Sequence, residues 1–544
     1  MNSISEIYKF NGFKLISLDL RENSLTGKSK LHYNFIDPDD KQDIIYTTVV
    51  IGPNGTGKSN LFRIIIELLK ELNDLSRGKN RTYNVDGLFC LKFSVNGDIF
   101  EYANFYDDEG FFKDIPNPEK GIKPFLLKNG SNINIELKEV QLPISIVANS
   151  IMLTDKFPFY RKENNDKGEI VEAFPRYKYL GVRNIPQSAS TRAYVRRTVE
   201  FIVEQFEKKG SNKNGFLDAL KRATNFLELE NSIGIFYYTS NNAKFFKGNL
   251  TPKDLNDYFE SIHKNYPTPE SNPPFKLNQY LKIKNNVALL KSICDFCNQL
   301  VNKDKLEKLP YKYSSIRKIT YNLIEPQLFE QLNEDYTMLE QLRQLGMISS
   351  PEIQLKRNDG YSLQESSSGE YHFFSSIVGL MATVIPTNSL VLIDEPEISL
   401  HPNWQMKYLS FLRELFCHPE YATCHILVAT HSHFLISDLK GGNSKIIGLK
   451  RNDGKIEIVD LPKSINTFGW SAEDVLYNIF NVRSSLNYYL EADLTELLGM
   501  IANNIKDKKK ITQILEKLNM LPKRANDPLQ EIIAEATEYL NSME

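Results

Sequence analysis

Apolar residues fall along this chain in two rhythms. Ile44 to Ile51 (IIYTTVVI) is β-branched and nearly continuous, the pattern of a parallel strand buried on both faces. A glycine-rich turn follows, and Asn60 to Asn73 then carries leucine and isoleucine at a helical period. Ser389–Ile393 and His425–Ala429 repeat the buried-strand pattern, each with a helix behind it, and Ile144–Leu153 is a further candidate. Residues 12–20 and 31–36 read as strands around a polar turn, and 88–105 and 133–140 alternate apolar with polar as antiparallel strands do. Residues 160–170 (YRKENNDKGEI) read as a charged loop.

From Ser190 to about Met347 the pattern is mainly helical, broken at His263–Lys276 by four prolines and two asparagines. Strand character returns at Glu352–Arg357, and Asn358-Asp359-Gly360 turns the chain into a serine-rich helix start. After about residue 460 helices run to the end. Strands alternating with helices imply a largely parallel sheet. The expected organisation is α/β, with one lobe over 1–190, a helical insertion over 191–347, a second lobe over 348–458 and a helical C-terminal region over 459–544.

Composition narrows this picture. At 544 residues, 41% hydrophobic and 25% charged, the chain can bury more than one core and is not mainly disordered. Lys plus Arg is 66 against 68 Asp plus Glu, a net charge of −2, so bulk charge would not hold it on nucleic acid. The best apolar run, Ile377–Ile385, is about half the length a bilayer needs and ends at Pro386. Glu6 and Lys9 stand where a secretory signal would need apolar residues, and five cysteines are sparse. The expectation is a cytoplasmic protein with no membrane contact.

The chemistry begins at Gly52-Pro53-Asn54-Gly55-Thr56-Gly57-Lys58-Ser59, which fits G-x-x-x-x-G-K-[ST] between a predicted strand and a predicted helix. Glycines let backbone N–H groups wrap a β-phosphate, and the helix beginning near Asn60 offers its positive end. Lys58 would reach the β- and γ-phosphates, and the Ser59 hydroxyl would bind Mg²⁺. The predicted strand Ser389–Ile393 ends in Asp394 and Glu395. Asp394 suits the metal, and Glu395 suits a base that polarises water at the γ-phosphate.

Three further stretches sort this chemistry: Ser366-Ser367-Ser368-Gly369-Glu370 at a helix start, Pro396–Pro402 (PEISLHP) after the acidic pair, and Ala429-Thr430-His431-Ser432 after a strand. Together with GPNGTGKSN they resemble the head of ABC-type ATPases, in the RecF, SMC and OLD-like group of AAA-family enzymes. The resemblance implies a two-lobed head with a mostly parallel phosphate-loop sheet plus antiparallel strands. It also implies two heads facing each other across two ATPs. Ser367, Ser368, Gly369 and Glu370 of one head would then be the signature acting in trans, with Ser367 and Gly369 touching the γ-phosphate held by Lys58 of the other, and His431 would act as the switch at that phosphate. Plainer accounts remain open, a helix N-cap for the serines and a packed core histidine for His431. The pattern departs from the group where a Q-loop glutamine is expected: Gln141 precedes the strand at Ile144–Leu153, and Asn149-Ser150 end it.

Residues 200–345 lack sustained heptads, unlike an SMC arm, and 432–544 lack the carboxylate motifs of an OLD nuclease. Ile146–Phe157 (IVANSIMLTDKF), Tyr177–Arg183 (YKYLGVR) and Phe468–Phe480 (FGWSAEDVLYNIF) resemble the PtuA family of Septu anti-phage systems. That resemblance implies an ATPase working with an HNH nuclease, PtuB, and in some systems beside a retron reverse transcriptase and its RNA–DNA product. Two other functions stay open, a RecF-like DNA repair clamp and an ATP-bound scaffold with little turnover.

Arg176, Lys178, Arg183, Arg192, Arg196 and Arg197 form a basic run interleaved with tyrosines. It could hold single-stranded nucleic acid or reach nucleotide phosphates, though a solvated helix face is the plainer reading. Cys294 and Cys297 have zinc-like spacing but no second pair with that character, so buried helix cysteines are expected. In the tail, Ala492–Ala502 and Ile511–Leu518 read as amphipathic helices, packing on their own head or docking a partner.

Overall fold

The run before the glycine-rich turn becomes a strand without one exposed residue, because both of its faces are covered. The computed structural model describes residues 11–21, 30–37, 40, 44–79, 85–105, 124–133, 140–152, 154–160, 162–164, 170–185, 188–189, 191–207, 213–226, 229–240, 243–266, 271–303, 305–309, 316–323, 326–357, 368–398, 400–436, 439, 442–452, 455–460, 488–520 and 528–542. Two compact units are present, Met1–Gly469 and Trp470–Glu544.

In the first unit, β1 (Phe13–Arg21), β2 (Lys30–Asn34) and β3 (Tyr46–Ile51) lead into α1 (Lys58–Ser76). Next come β4 (Leu88–Val95), β5 (Asp98–Ala103), β6 (Phe125–Lys128) and β7 (Ser131–Ile133). These join β1 and β2 in an antiparallel sheet ordered β2-β1-β4-β5-β6-β7. β8 (Ser145–Ser150), the hairpin β9 (Lys162–Asn164) and β10 (Ile170–Glu172), β11 (Tyr177–Gly181), and the hairpin β12 (Arg183–Ile185) and β13 (Ser188–Ala189) follow.

The middle of the chain holds α2 (Thr191–Glu207), α3 (Lys213–Phe226), β14 (Leu229–Tyr238), α4 (Pro252–His263), α5 (Phe275–Ile283), α6 (Val287–Asn302), β15 (Glu307–Lys308), β16 (Arg317–Asn322), α7 (Pro326–Gln344) and β17 (Glu352–Arg357). The expected helical block therefore carries an antiparallel sheet, ordered β15-β16-β14-β17. Ile233, Ile235, Phe236 and Tyr237 are buried in β14, and their β-branched and aromatic run outweighs the helical flanks.

The chain continues through α8 (Ser368–Thr383), β18 (Ser389–Asp394), α9 (Pro402–Leu415), β19 (His425–Thr430), β20 (Ser444–Asn452) and β21 (Lys455–Asp460). The main sheet is ordered β11-β8-β18-β19-β3-β20-β21, parallel from β11 to β20 with β21 antiparallel at the edge. One core joins it to the antiparallel sheet: Phe13, Leu15 and Leu18 of β1, Leu61, Ile65 and Leu68 of α1, and Leu392 and Leu427 all belong to it.

A polar latch crosses the same boundary. His425 is fully buried, its Nδ1 accepts the Leu15 N–H at 3.0 Å, and its Nε2 lies 2.8 Å from Thr48 Oγ1. Thr48 gives its own hydrogen to the Phe35 carbonyl, so Nε2–H is the donor and the ring is neutral. Burial keeps that ring neutral, holding its pKa well below the usual histidine range. Lys14 donates to the Ala422 and Cys424 carbonyls beside it.

The second unit contains α10 (Tyr488–Ala502), α11 (Lys508–Asn519), capped by Asp507, and α12 (Pro528–Asn541). Leu497, Ile511, Ile514, Leu518 and Ala536 pack together as its core. The charged stretch read as a loop at 160–170 contains strand β9 and reaches the first residue of β10. Residues 134–139, Asn358–Gly360, Ser366, Ser367 and Phe468–Phe480 lie outside the described residues. Among the described residues no helix is long and apolar enough to cross a membrane.

Candidate nucleotide site

Register brings the expected residues to one edge of the sheet. Thr430 pairs with Ile51, and Asp394 pairs with Ala429 on one side and Ser150 on the other. The carboxyl ends of β3, β19, β18 and β8 thus form one line, and that edge is where open α/β sheets take their ligands.

The glycine-rich loop expected to take phosphate bridges β3 to α1. Gly55 (φ +80°) and Gly57 (φ +88°) take the left-handed backbone that side chains resist. A Cβ on Gly52 would meet the Leu449 carbonyl oxygen at 2.4 Å. Gly57 caps α1, whose first turn carries Ser59 and Asn60 and no acidic side chain, so its positive end is not neutralised. Pro53, Asn54 and Gly55 are exposed on the loop's outer face, and Thr56 is buried and donates to the Pro53 carbonyl at 2.8 Å. Lys58 is buried, and its Nζ donates to the Gly52 and Pro53 carbonyls at 2.7 and 3.1 Å. Burial lowers its pKa, opposed by the charges of Glu395, Glu397 and Asp394. The ammonium therefore folds over its own loop and stays within the acidic field.

Asp394 ends β18 at 1% exposure, and burial pushes its carboxyl up to about 7 against a hydrogen bond from Ser59. Its Oδ1 is buried without a hydrogen-bond partner. A carboxylate oxygen held ready beside a serine hydroxyl suits a hard cation, and Ser59 and Asp394 fit Mg²⁺ that draws its other ligands from phosphate and water. Among the described residues no cluster of three His, Cys, Asp or Glu fits a metal by itself.

Glu395 leaves the strand line with φ +48°, a conformation non-glycine residues seldom take, and its N–H donates to the Ala429 carbonyl at 2.8 Å. His431 follows β19, between the phosphate-loop strand and the acidic strand, and its side chain is 40% exposed. Its Nδ1 lies 3.7 Å from Glu395 Oε1 and 3.1 Å from Glu397 Oε1.

Glu397 was not singled out in the sequence. Its Oε1 accepts Thr430 Oγ1–H at 2.7 Å, His431 N–H at 2.7 Å and Ser432 N–H at 3.2 Å. Burial raises its pKa against those same bonds. Gln405 adds a second tie, accepting the Ser432 hydroxyl at 2.6 Å and donating to the Leu400 carbonyl at 2.9 Å. The spacing DEPE offered a signal for Glu397, but its partners lie more than thirty residues downstream.

Ser368, Gly369 and Glu370 open α8. Asn149, near the end of β8, exchanges hydrogen bonds with Ser376 of α8 at 2.7 and 3.0 Å, so its amide faces that helix. Ser150 is the residue set beside Asp394, while Gln141 is exposed ahead of β8. The basic run is largely consumed inside the fold. Arg183 pairs with buried Asp155, Lys178 with Glu204, Arg196 lies 3.7 Å from Glu340, and Arg176 and Arg197 donate to backbone carbonyls. Arg192 is exposed. Cys294 and Cys297 are buried on α6.

Part of the chain matches a known family model, and most of its length is similar to known proteins. Residues 205–437, which include Asp394, Glu395 and His431, match the family model "AAA domain, putative AbiEii toxin, Type IV TA system". The "Retron Ec83 probable ATPase" of Escherichia coli is 24% identical over 502 residues, 90% of this chain and 81% of that protein. The "Retron Vc95 probable ATPase" of Vibrio cholerae serotype O1 biovar El Tor is 22% identical, over 87% of this chain and 81% of that protein. The Septu protein PtuA of Bacillus thuringiensis is 25% identical over 146 residues, 26% of this chain and 34% of that protein. Among solved structures, the SMC head domain from Thermotoga maritima matches at 13% identity and a TM-score of 0.32, over 82% of this chain and 99% of that one. Residues 205–437 thus carry the mark of an AAA domain, and the chain is homologous to the retron ATPases and to Septu PtuA.

Proposed function

We propose that the protein is an ATP-binding and ATP-hydrolysing dimeric switch that controls a separate HNH-type nuclease in anti-phage defence, as a Septu- or retron-type effector in the cytoplasm. The observation that carries the reading is the alignment of Lys58, Ser59, Asp394, Glu395 and His431 along one edge of the parallel sheet. In this account the loop from Gly52 to Ser59 and the first turn at Asn60 take the phosphates, and Lys58 turns from its own carbonyls to the β- and γ-oxygens. Ser59 and Asp394 hold Mg²⁺, which would screen phosphate charge. Glu395 orients the attacking water and accepts its proton, and His431 senses the γ-phosphate. Ser367, Ser368, Gly369 and Glu370 act in trans on the nucleotide of a second copy, so ATP holds two heads together and hydrolysis releases them. A reverse transcriptase and its RNA–DNA product are the partners in the retron form.

The internal pairing of the basic run weighs against a repair clamp that grips DNA through that segment. The turn of Asn149 toward Ser376 favours slow turnover, the direction of the scaffold reading. Measuring ATP hydrolysis by the purified protein separates these. Turnover in the wild type, lost in Glu395→Gln with ATP binding retained, supports the switch. ATP binding without turnover in the wild type supports the scaffold.

A further inference from the structure

We infer that Glu397 is a positioning residue that fixes both the backbone and the ring proton of His431. This rests on the reading of His431 as the residue that meets the γ-phosphate. Three donors from consecutive residues, Thr430 Oγ1, His431 N and Ser432 N, converge on one oxygen of this buried carboxylate. Those bonds hold the turn that carries the imidazole. The same oxygen lies 3.1 Å from His431 Nδ1, and Glu395 Oε1 lies 3.7 Å from it. A ring lone pair facing two carboxylate oxygens would be repelled, so Nδ1 carries the hydrogen. Nε2 is then the acceptor left for the attacking water in the neutral ring, and becomes a donor to the γ-phosphate when the ring is protonated. A carboxylate behind a functional histidine sets its tautomer and orientation in this way.

The arrangement also joins two segments of the site. Glu397 follows Glu395 by two residues, so the carboxylate that places the water and the carboxylate that holds the histidine share one short turn. Gln405 fastens the far side of that turn to Ser432. A displacement of residues 395–400 would therefore move Glu395 and His431 together.

The test has two arms. Histidine-selective ¹⁵N and ¹³C labelling of the full chain, which has eight histidines, reads which ring nitrogen is protonated. His431→Gln assigns the signal. The wild type is expected to show His431 protonated at Nδ1, and Glu397→Ala to move that proton to Nε2. A wild-type ring protonated at Nε2 overturns the inference, whatever the ATPase does.

The second arm is turnover. Glu397→Gln, which keeps the shape of the side chain, is expected to lower kcat about 10- to 100-fold with KM for ATP unchanged, and Glu397→Asp to recover part of the loss. In a His431→Ala background the same change should cost less than about twofold, because its effect runs through the histidine. An undiminished loss in that background overturns the inference. Absence of wild-type turnover counts against the hydrolytic part of the proposed function, and the tautomer measurement still decides the role of Glu397.

Discussion

Arg183 closes on Asp155 with its guanidinium, Nε to Oδ2 at 2.8 Å and Nη2 to Oδ1, around a carboxylate with 0% side-chain exposure. Tyr179 OH and the Phe157 N–H complete the set at 2.7 and 3.0 Å. Arg197 stacks on Tyr179 and donates to the Gly181 and Arg183 carbonyls. Two of the three stretches that resemble the PtuA family, ending at Phe157 and Arg183, thus fold onto each other. Their shared residues build the join between β11 and α2.

Breaking that pair from one side should be costly. Arg183→Ala leaves the Asp155 carboxylate buried without its cation, and about 3–5 kcal/mol of stability should be lost in urea unfolding. Adding Asp155→Leu to Arg183→Met should recover most of the loss, because the uncompensated charge is gone. A loss below about 1 kcal/mol in Arg183→Ala would mean that the pair is solvated in solution.

Asp394 should trade stability for function. Its folded pKa, about 7, stands above the ordinary carboxylate value, so the folded state holds a proton that the unfolded chain releases. Stability of the nucleotide-free protein should therefore fall as pH rises from about 4 to about 7, by up to roughly 1.4 kcal/mol per unit, and level off above. Asp394→Asn removes this slope. Thermal melts at pH 5 and pH 8 are expected to show the variant gaining on the wild type at pH 8 while losing Mg²⁺-dependent ATP binding. Parallel curves would contradict the assignment.

Lys14 predicts the opposite slope. Burial lowers its ammonium to about 7, so between there and about 10.5 the unfolded chain holds a proton that the folded chain has released. Stability from this group rises with pH across that window and is lowest below it. The wild type should gain on Lys14→Met between pH 7 and pH 9.5 in denaturant titrations. A constant difference would show that the amine stays protonated between the sheets.

Contiguous features of this fold were legible in the sequence. The apolar runs at Ile44–Ile51, Ser389–Ile393 and His425–Ala429 became β3, β18 and β19 because burial on both faces leaves an unbroken local signature. The expected helix at Asn60–Asn73 lies inside α1, and Ala492–Ala502 and Ile511–Leu518 lie inside α10 and α11. Features that depend on distant partners were not legible. β14 needs β16 and β17 beside it, and its Ile233–Tyr238 run was read against helical neighbours. The basic run looked like a surface because its acceptors, Asp155, Glu204 and backbone carbonyls, are scattered along the chain. Glu397 was hidden for the same reason, since a carboxylate two residues after Glu395 gains meaning once Thr430, His431 and Ser432 are folded against it.

In the proposed function, ATP holds two copies together as a switch on a nuclease. Native mass spectrometry of Glu395→Gln, purified from its own host with ATP and Mg²⁺, tests it most directly. The expected species is an even-numbered oligomer carrying ATP together with a small nuclease chain, with reverse transcriptase and RNA–DNA added in a retron. A monomer with ATP bound, or a bare dimer that captures duplex DNA alone, would contradict it.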